Sequence, residues 1–133
     1  MMQEFSRQIA QWIVTTGYED LPPSVVQATK MFIVDHVGCV IGGTLKESSR
    51  TITSVANPWG PMRACCTLLG QPDATSPPLA ALINGTAGHA LELDDDHREG
   101  TLHPGVAVIP AAIAAAEQEG SSGRKFLLAV ALG

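Results

Sequence analysis

The apolar positions of this chain recur mostly at helical spacing. Phe5, Ile9, Trp12 and Ile13 fall at i, i+4, i+7 and i+8, one face of a helix that Gly17 ends. "LPPSVV" supplies prolines that suit a helix start. The pattern stays helical over residues 24–41, with Gly42-Gly43 read as its stop. Asp35 and His36 interrupt that apolar run, and either a partly exposed pair or a buried, hydrogen-bonded one is expected. A third helix is expected over residues 45–56, broken by "NPWGP". "RACCTLLG" reads as a short strand near residues 64–69, and "QPDATSPP" as a loop.

Pro77 and Pro78 open another helix, which is expected to run into an acidic stretch. Asn84-Gly85 would mark a hairpin turn in isolation. Its flanks, "AALI" and "TAGHAL", lack strand alternation and are rich in helix formers, so a helix is preferred. Gly85 and Gly88 then lie about one turn apart, each costing about 1 kcal/mol relative to Ala. Close approach of another helix or a ligand would offset that cost. Residues 105–119 form an Ala-rich helix stopped by Gly120. Ser121 or Ser122 caps a last helix with Phe126, Leu127, Val130 and Ala131 as its stripe. The fold class is therefore all-α, with at most one short strand.

Composition narrows the picture. The 133 residues suffice for one modest domain; 45% are hydrophobic and 16% charged, too apolar for a disordered chain. Lys and Arg total eight and form no run, against a net charge of −5, so a nucleic-acid surface is not expected. Cys39, Cys65 and Cys66 lack zinc-ligand spacing and read as small buried thiols of a reducing compartment. The start "MMQEFSRQIAQW" has polar residues where a signal peptide needs an apolar core. The longest apolar stretches, residues 31–43 and 105–116, read as too short or too interrupted to cross a bilayer. A cytoplasmic protein without membrane contact is the expectation.

The candidate chemistry sits in "HALELDDDHREGTLHPG", residues 89–105. A calcium loop started at Asp95 has His97 third and no glutamate twelfth; one started at Asp94 has Glu99 where glycine belongs. The spacing of His89, His97 and His103 does not match a helical zinc-hydrolase motif. No metal is expected, although a looser His/Asp cluster of a metal-dependent hydrolase stays open. An acid/base reading does better. Crowded carboxylates raise at least one pKa, and neighbouring histidines are held charged more readily. A solvated acidic loop is the plain alternative.

Taken in order, Asn84-Gly85, "HALELDD" at residues 89–95, and His103-Pro104 before an Ala-rich helix resemble the MmgE/PrpD family. "FIVDHVGCVIGG" and "GRKFLLAVALG" resemble its early and next helices, so the similarity covers nearly the whole chain. The resemblance implies that residues 1–133 are the N-terminal portion of that family's all-helical domain. It implies a lyase without cofactor, a dehydratase or decarboxylase or an epimerase, acting on a small di- or tricarboxylic acid. His103 and Glu92 then correspond to catalytic positions, and Asp95, Asp96, His97 and Arg98 to substrate-binding ones. Glu92 is longer than the family's usual aspartate, and Asp96 stands where a threonine is usual.

A polycarboxylate is repelled by aspartates, by about 4 kcal/mol for like charges about 4 Å apart at intermediate dielectric. Only Arg98 and Lys125 lie near in sequence to offset this. The chain is therefore expected to be inactive alone, and to act as a homodimer or after completion by a second chain. The alternatives are one half of a split enzyme, a non-catalytic helical interaction module, or the metal-dependent hydrolase.

Overall fold

A computed structural model describes residues 2–56 and 65–133 of the chain. It contains α1 (Met2–Thr15), a 3-10 turn (Tyr18–Asp20), α2 (Pro23–Gly43), α3 (Glu47–Ala56), β1 (Cys66–Thr67), β2 (Ala74–Thr75), α4 (Pro77–His89), α5 (Gly105–Glu119) and α6 (Gly123–Leu132). The expected break at "NPWGP" lies outside the described residues.

The centre of the fold is α4, which packs against α5 on one side and α2 on the other. Small residues make this possible. A Cβ on Gly85 would stand 2.8 Å from the Val106 carbonyl oxygen and 3.5 Å from Pro110 of α5. Pro110 has no N–H to give to Val106, so that carbonyl is left over inside α5. Gly85 is where α4 lets it approach. On the other side, a Cβ on Gly88 would stand 2.6 Å from the His36 ring of α2. Both glycines thus occupy the close approaches their cost implies.

The helix α2 ends at the expected Gly42-Gly43, which are its last two residues, and Thr44 caps it with its N–H bonded to Val40. Gly43 is a packing residue, because Ala87 of α4 occupies the space its Cβ would need. The helix also begins at Pro23, earlier than the apolar run that starts at Met31. Its 21 residues are long and apolar enough to cross a membrane by length and composition alone, which corrects the shorter reading. One side, with His36, Cys39, Val40 and Gly43, is buried. Met31, Phe32, Val34 and Ile41 are exposed, as are Phe5, Ile9, Trp12 and Ile13, the apolar face of α1.

A second cluster lies between α3, α4, α5 and the hairpin, formed by Ala56, Cys66, Leu68, Ala80, Ile83 and Ala114. Here the structure adds an element: β2 falls in the stretch expected to be a loop and pairs antiparallel with β1, Cys66 opposite Thr75. Two residues per strand are too few to show a period in sequence. Asn84 holds this hairpin to α4. Its side chain accepts from the Leu69 N–H at 3.0 Å and donates to the Thr67 carbonyl at 2.9 Å. Asn84 is 1% exposed, so its side chain makes these two bonds from inside the fold. Asn84→Ala is expected to cost about 2 kcal/mol or more, since it strands a donor and an acceptor together. A urea titration with an unchanged midpoint would refute that role.

The three thiols are free, and burial pushes Cys66 up to about 11. Ser122 caps α6 by accepting from the Lys125 N–H. Arg124 pairs with Glu19 and lies over the Tyr18 ring, docking the 3-10 turn against α6.

Candidate active site

The helix α4 ends at His89, before the acidic stretch rather than within it. The chain then turns tightly: Ala90 N–H bonds to Ala87 and Glu92 N–H to His89. Glu92 takes a left-handed conformation, φ 53°. This reversal carries Asp94 back beneath the helix end. The Asp94 side chain is 1% exposed. His89 Nδ1 lies 3.0 Å from Asp94 Oδ2 and 3.2 Å from Oδ1. A carboxylate only accepts, so His89 carries its proton on Nδ1.

The second imidazole comes from the loop before α5. His103 Nδ1 lies 3.1 Å from the same Asp94 Oδ2. It is out of line for a hydrogen bond and, among the described residues, has no other partner. The two rings meet edge to face, centroids 4.9 Å apart at 66°. Two imidazolium ions at that separation would repel by about 3 kcal/mol at an effective dielectric of 20, which favours one charge per pair. Both side chains are part exposed, 43% for His89 and 34% for His103, while their Nδ1 sides face the buried carboxylate. Glu92 Oε1 approaches His89 Nε2 to 3.4 Å from the solvent side.

The other acidic residues separate by environment. Asp95 takes the Gly105 N–H on both oxygens, at 3.0 and 3.1 Å. An anion there favours the start of α5, where backbone N–H groups are unpaired. Its carboxylate also fills the space a Cβ on Gly105 would need. Asp95 thereby anchors the loop that carries His103, two residues before Gly105. Asp96 and His97 line a neighbouring cleft of about 390 Å³ with Phe32, Pro104, Val108 and Val130. His97 pairs with Leu102 and accepts the Gly100 N–H on Nδ1, closing a tight turn. Arg98 and Glu99 are exposed at its tip.

Of the six residues expected from sequence, His103 and Glu92 therefore flank one cluster, and Asp95 acts on the backbone beside it. Asp96 and His97 face the adjoining cleft, and Arg98 lies on the turn. Two members were not singled out, Asp94 and His89. Their signal was the five-residue interval across a helix end, which fits a chain reversal as well as it fits a continuing helix.

Behind the cluster, His36 is buried, whereas its neighbour Asp35 is exposed. Neither ring nitrogen of His36 has a hydrogen-bond partner among the described residues. The expected paired arrangement of Asp35 and His36 is thus split, because successive helical positions point to different sides. Burial pulls the His36 pKa below its ordinary 6.5, against the attraction of Asp95, Asp94 and Asp35. The hydrogen bond to Asp94 raises that of His89, with burial opposing and the Asp94 and Glu92 charges assisting.

The two shifts act on opposite sides of pH 6.5. His36 stabilises the fold above pH 6.5 and loses that contribution as pH falls through its folded value. His89 stabilises it below 6.5 and loses its contribution as pH rises through its raised value. Thermal midpoints should decline on both sides, and His36→Leu should flatten the acid side only. An acid limb as steep in that variant as in the parent would count against the assignment.

His89, Asp94 and His103 each offer a ligand atom, all within 4.8 Å, so the cluster has room to hold a cation. The His89–Asp94 hydrogen bond accounts for half of that arrangement without one.

The sequence matches the family model of the MmgE/PrpD N-terminal domain over residues 7–133. It is similar to a cis-aconitate decarboxylase-like protein, oryM, of Aspergillus oryzae, with 29% identity over 95% of this chain and 27% of that protein. It is 30% identical to a cis-aconitate decarboxylase of Aspergillus terreus and 31% identical to that of Homo sapiens, each over 88% of this chain and 24% of the relative. The chain thus spans about a quarter of the length of these relatives. On this match, the chain belongs to the MmgE/PrpD family, as its N-terminal domain.

Proposed function

We propose that this chain is the N-terminal portion of the helical domain of a cofactor-independent lyase, acting on a small di- or tricarboxylate. The observation that carries the reading is a pair of part-exposed imidazoles, His89 and His103, set on one buried carboxylate, Asp94. Relatives named for the decarboxylation of cis-aconitate, a tricarboxylate, make that substrate class the first to test. In such chemistry one group takes or supplies a proton at carbon next to a carboxylate while a C–O or C–C bond breaks. His103 is the assigned proton-transfer group. Glu92, at the rim, and Asp96, His97 and Arg98, around the adjoining cleft and turn, are the assigned substrate contacts.

The cations that such a substrate needs are scarce on this chain. Arg98 is exposed on its turn and Lys125 lies on α6. The reading therefore includes further polypeptide, from the same protein or its second copy, that brings basic groups to the cluster. The exposed apolar faces of α1 and α2 provide surface for it. The test is a screen of the complete protein for dehydration, decarboxylation and epimerisation of small polycarboxylates, beginning with cis-aconitate. Turnover of none of them would overturn the reading. So would stoichiometric zinc, iron or manganese in the purified protein, which would favour the hydrolase alternative that the spacing of the cluster leaves room for.

A further inference from the structure

We propose that His89 is the proton donor of this site and Asp94 its positioning residue, with His103 as the partner that accepts protons. This rests on the lyase reading above and deepens it. The carboxylate of Asp94 is shared unequally. His89 holds it in line on Nδ1 at 3.0 Å, whereas His103 Nδ1, at 3.1 Å, is out of line. An ion pair in line with a buried carboxylate is a charge-assisted bond, stronger than its neutral equivalent. With the rings 4.9 Å apart, only one imidazolium is favoured, and the in-line ring is the one that keeps it. Position adds to this, because His89 closes α4, where the unpaired carbonyl ends of the helix attract positive charge.

The groups facing His89 are consistent with that state. Asp94 lies beneath it, Glu92 approaches Nε2 at 3.4 Å, and the His103 ring meets it edge-on from the loop before α5. From α2, the buried His36 packs behind Gly88 and is held neutral by its burial. The hydrogen bond to Asp94 raises the His89 pKa. With Nδ1 committed to Asp94, the proton available to a substrate is the one on Nε2, at the exposed edge.

The transfer balances for either bond cleavage. In dehydration, His103 Nε2 takes a proton from the carbon next to a carboxylate, the C–H pair becomes the new C=C bond, and the C–O bond breaks. His89 Nε2–H protonates the departing hydroxyl, which leaves as water. In decarboxylation, the C–C bond to the departing carboxylate breaks, CO2 leaves, and the electron pair remains on the carbon skeleton. There it takes up the Nε2 proton of His89. In both, His89 ends neutral and regains its proton from solvent.

Two readouts test this. Histidine ring NMR of the protein should give His89 a titration midpoint above 6.5, and Asp94→Asn should bring it down towards that value, with its Nδ1–H signal lost from the hydrogen-bonded region. In the complete protein, His89→Gln should lower kcat at least tenfold and remove the alkaline limb of the kcat profile, while KM changes less than threefold. Asp94→Glu, which keeps the charge, should recover more activity than Asp94→Asn. A His89 midpoint that Asp94→Asn leaves unmoved overturns the role of Asp94. A pH profile unchanged in His89→Gln overturns the donor. Absence of any polycarboxylate turnover in the parent protein overturns the lyase reading and the donor role with it, and leaves the NMR result to decide the His89–Asp94 pairing alone.

Discussion

His103→Ala in the complete protein is expected to lower kcat by about 10²- to 10⁴-fold, the usual contribution of a positioned acid or base, on a polycarboxylate whose reaction begins with proton abstraction from carbon, as dehydration does. Its KM should change far less. The imidazole faces the buried Asp94 through Nδ1, so its exposed edge is the one that meets a reacting atom. Substrate carboxylates would be held by cations from outside this chain, and those survive the substitution. The fold should survive too. His103 makes no hydrogen bond among the described residues, and its loop is fixed independently by Asp95 on the Gly105 N–H. A steady-state comparison with thermal melting of both proteins checks all three statements. Full activity in a folded His103→Ala protein would remove the assignment. Loss of activity accompanied by unfolding would show that the ring supports the loop instead.

The contrast between His103 and Asp94 shows what sequence makes legible at such a site. His103 stands out because it precedes a proline and a helix start, in the order of a known motif. Asp94, Asp95 and Asp96 are three identical residues in a row. In the fold they become a buried anchor for two imidazoles, a clamp on the start of α5 and a cleft-lining group. Only the chain reversal after His89 assigns those roles, and it depends on Glu92 adopting a left-handed backbone that no residue pattern signals. The end of α5 and the start of α6 were legible for a local reason: Gly120 is left-handed and Ser122 caps through its own side chain. The second strand of the hairpin was not, because the hairpin is held by the Asn84 side chain reaching from α4 rather than by strand periodicity. The apolar stripe of α1 was read correctly as a face, yet it is exposed here. Periodicity tells that a face wants burial and is silent on what covers it.

Glycine was the hardest residue to read, and α2 offers a direct trial of why. Gly38, Gly42 and Gly43 lie on one helix and would each be stabilised by Ala on helix propensity alone, by about 1 kcal/mol. Their surroundings differ. A Cβ on Gly38 meets nothing within 4 Å. One on Gly42 meets the Leu91 Cδ1 at 2.9 Å, the far end of a side chain that can turn away. One on Gly43 overlaps the Ala87 backbone carbonyl, which cannot move without moving α4. Gly38→Ala should therefore raise stability by up to about 1 kcal/mol. Gly43→Ala should lower it by about 3 kcal/mol, the upper range for forcing atoms into a packed interface, and by roughly 10 °C in Tm for a domain of this size. The Gly43 carbonyl also accepts from the buried Ser49 hydroxyl, so a displaced helix end loses that bond as well. The effect should reach the site, because Ala87 lies two residues before His89. Separation of α2 from α4 pulls the end of α4 off Asp94, and the His89 titration midpoint should fall along with Tm. A Gly43→Ala protein as stable as the parent would mean that the α2–α4 contact gives way cheaply. One destabilised with an unmoved His89 midpoint would mean that the loop, and not α4, places the imidazole on its carboxylate.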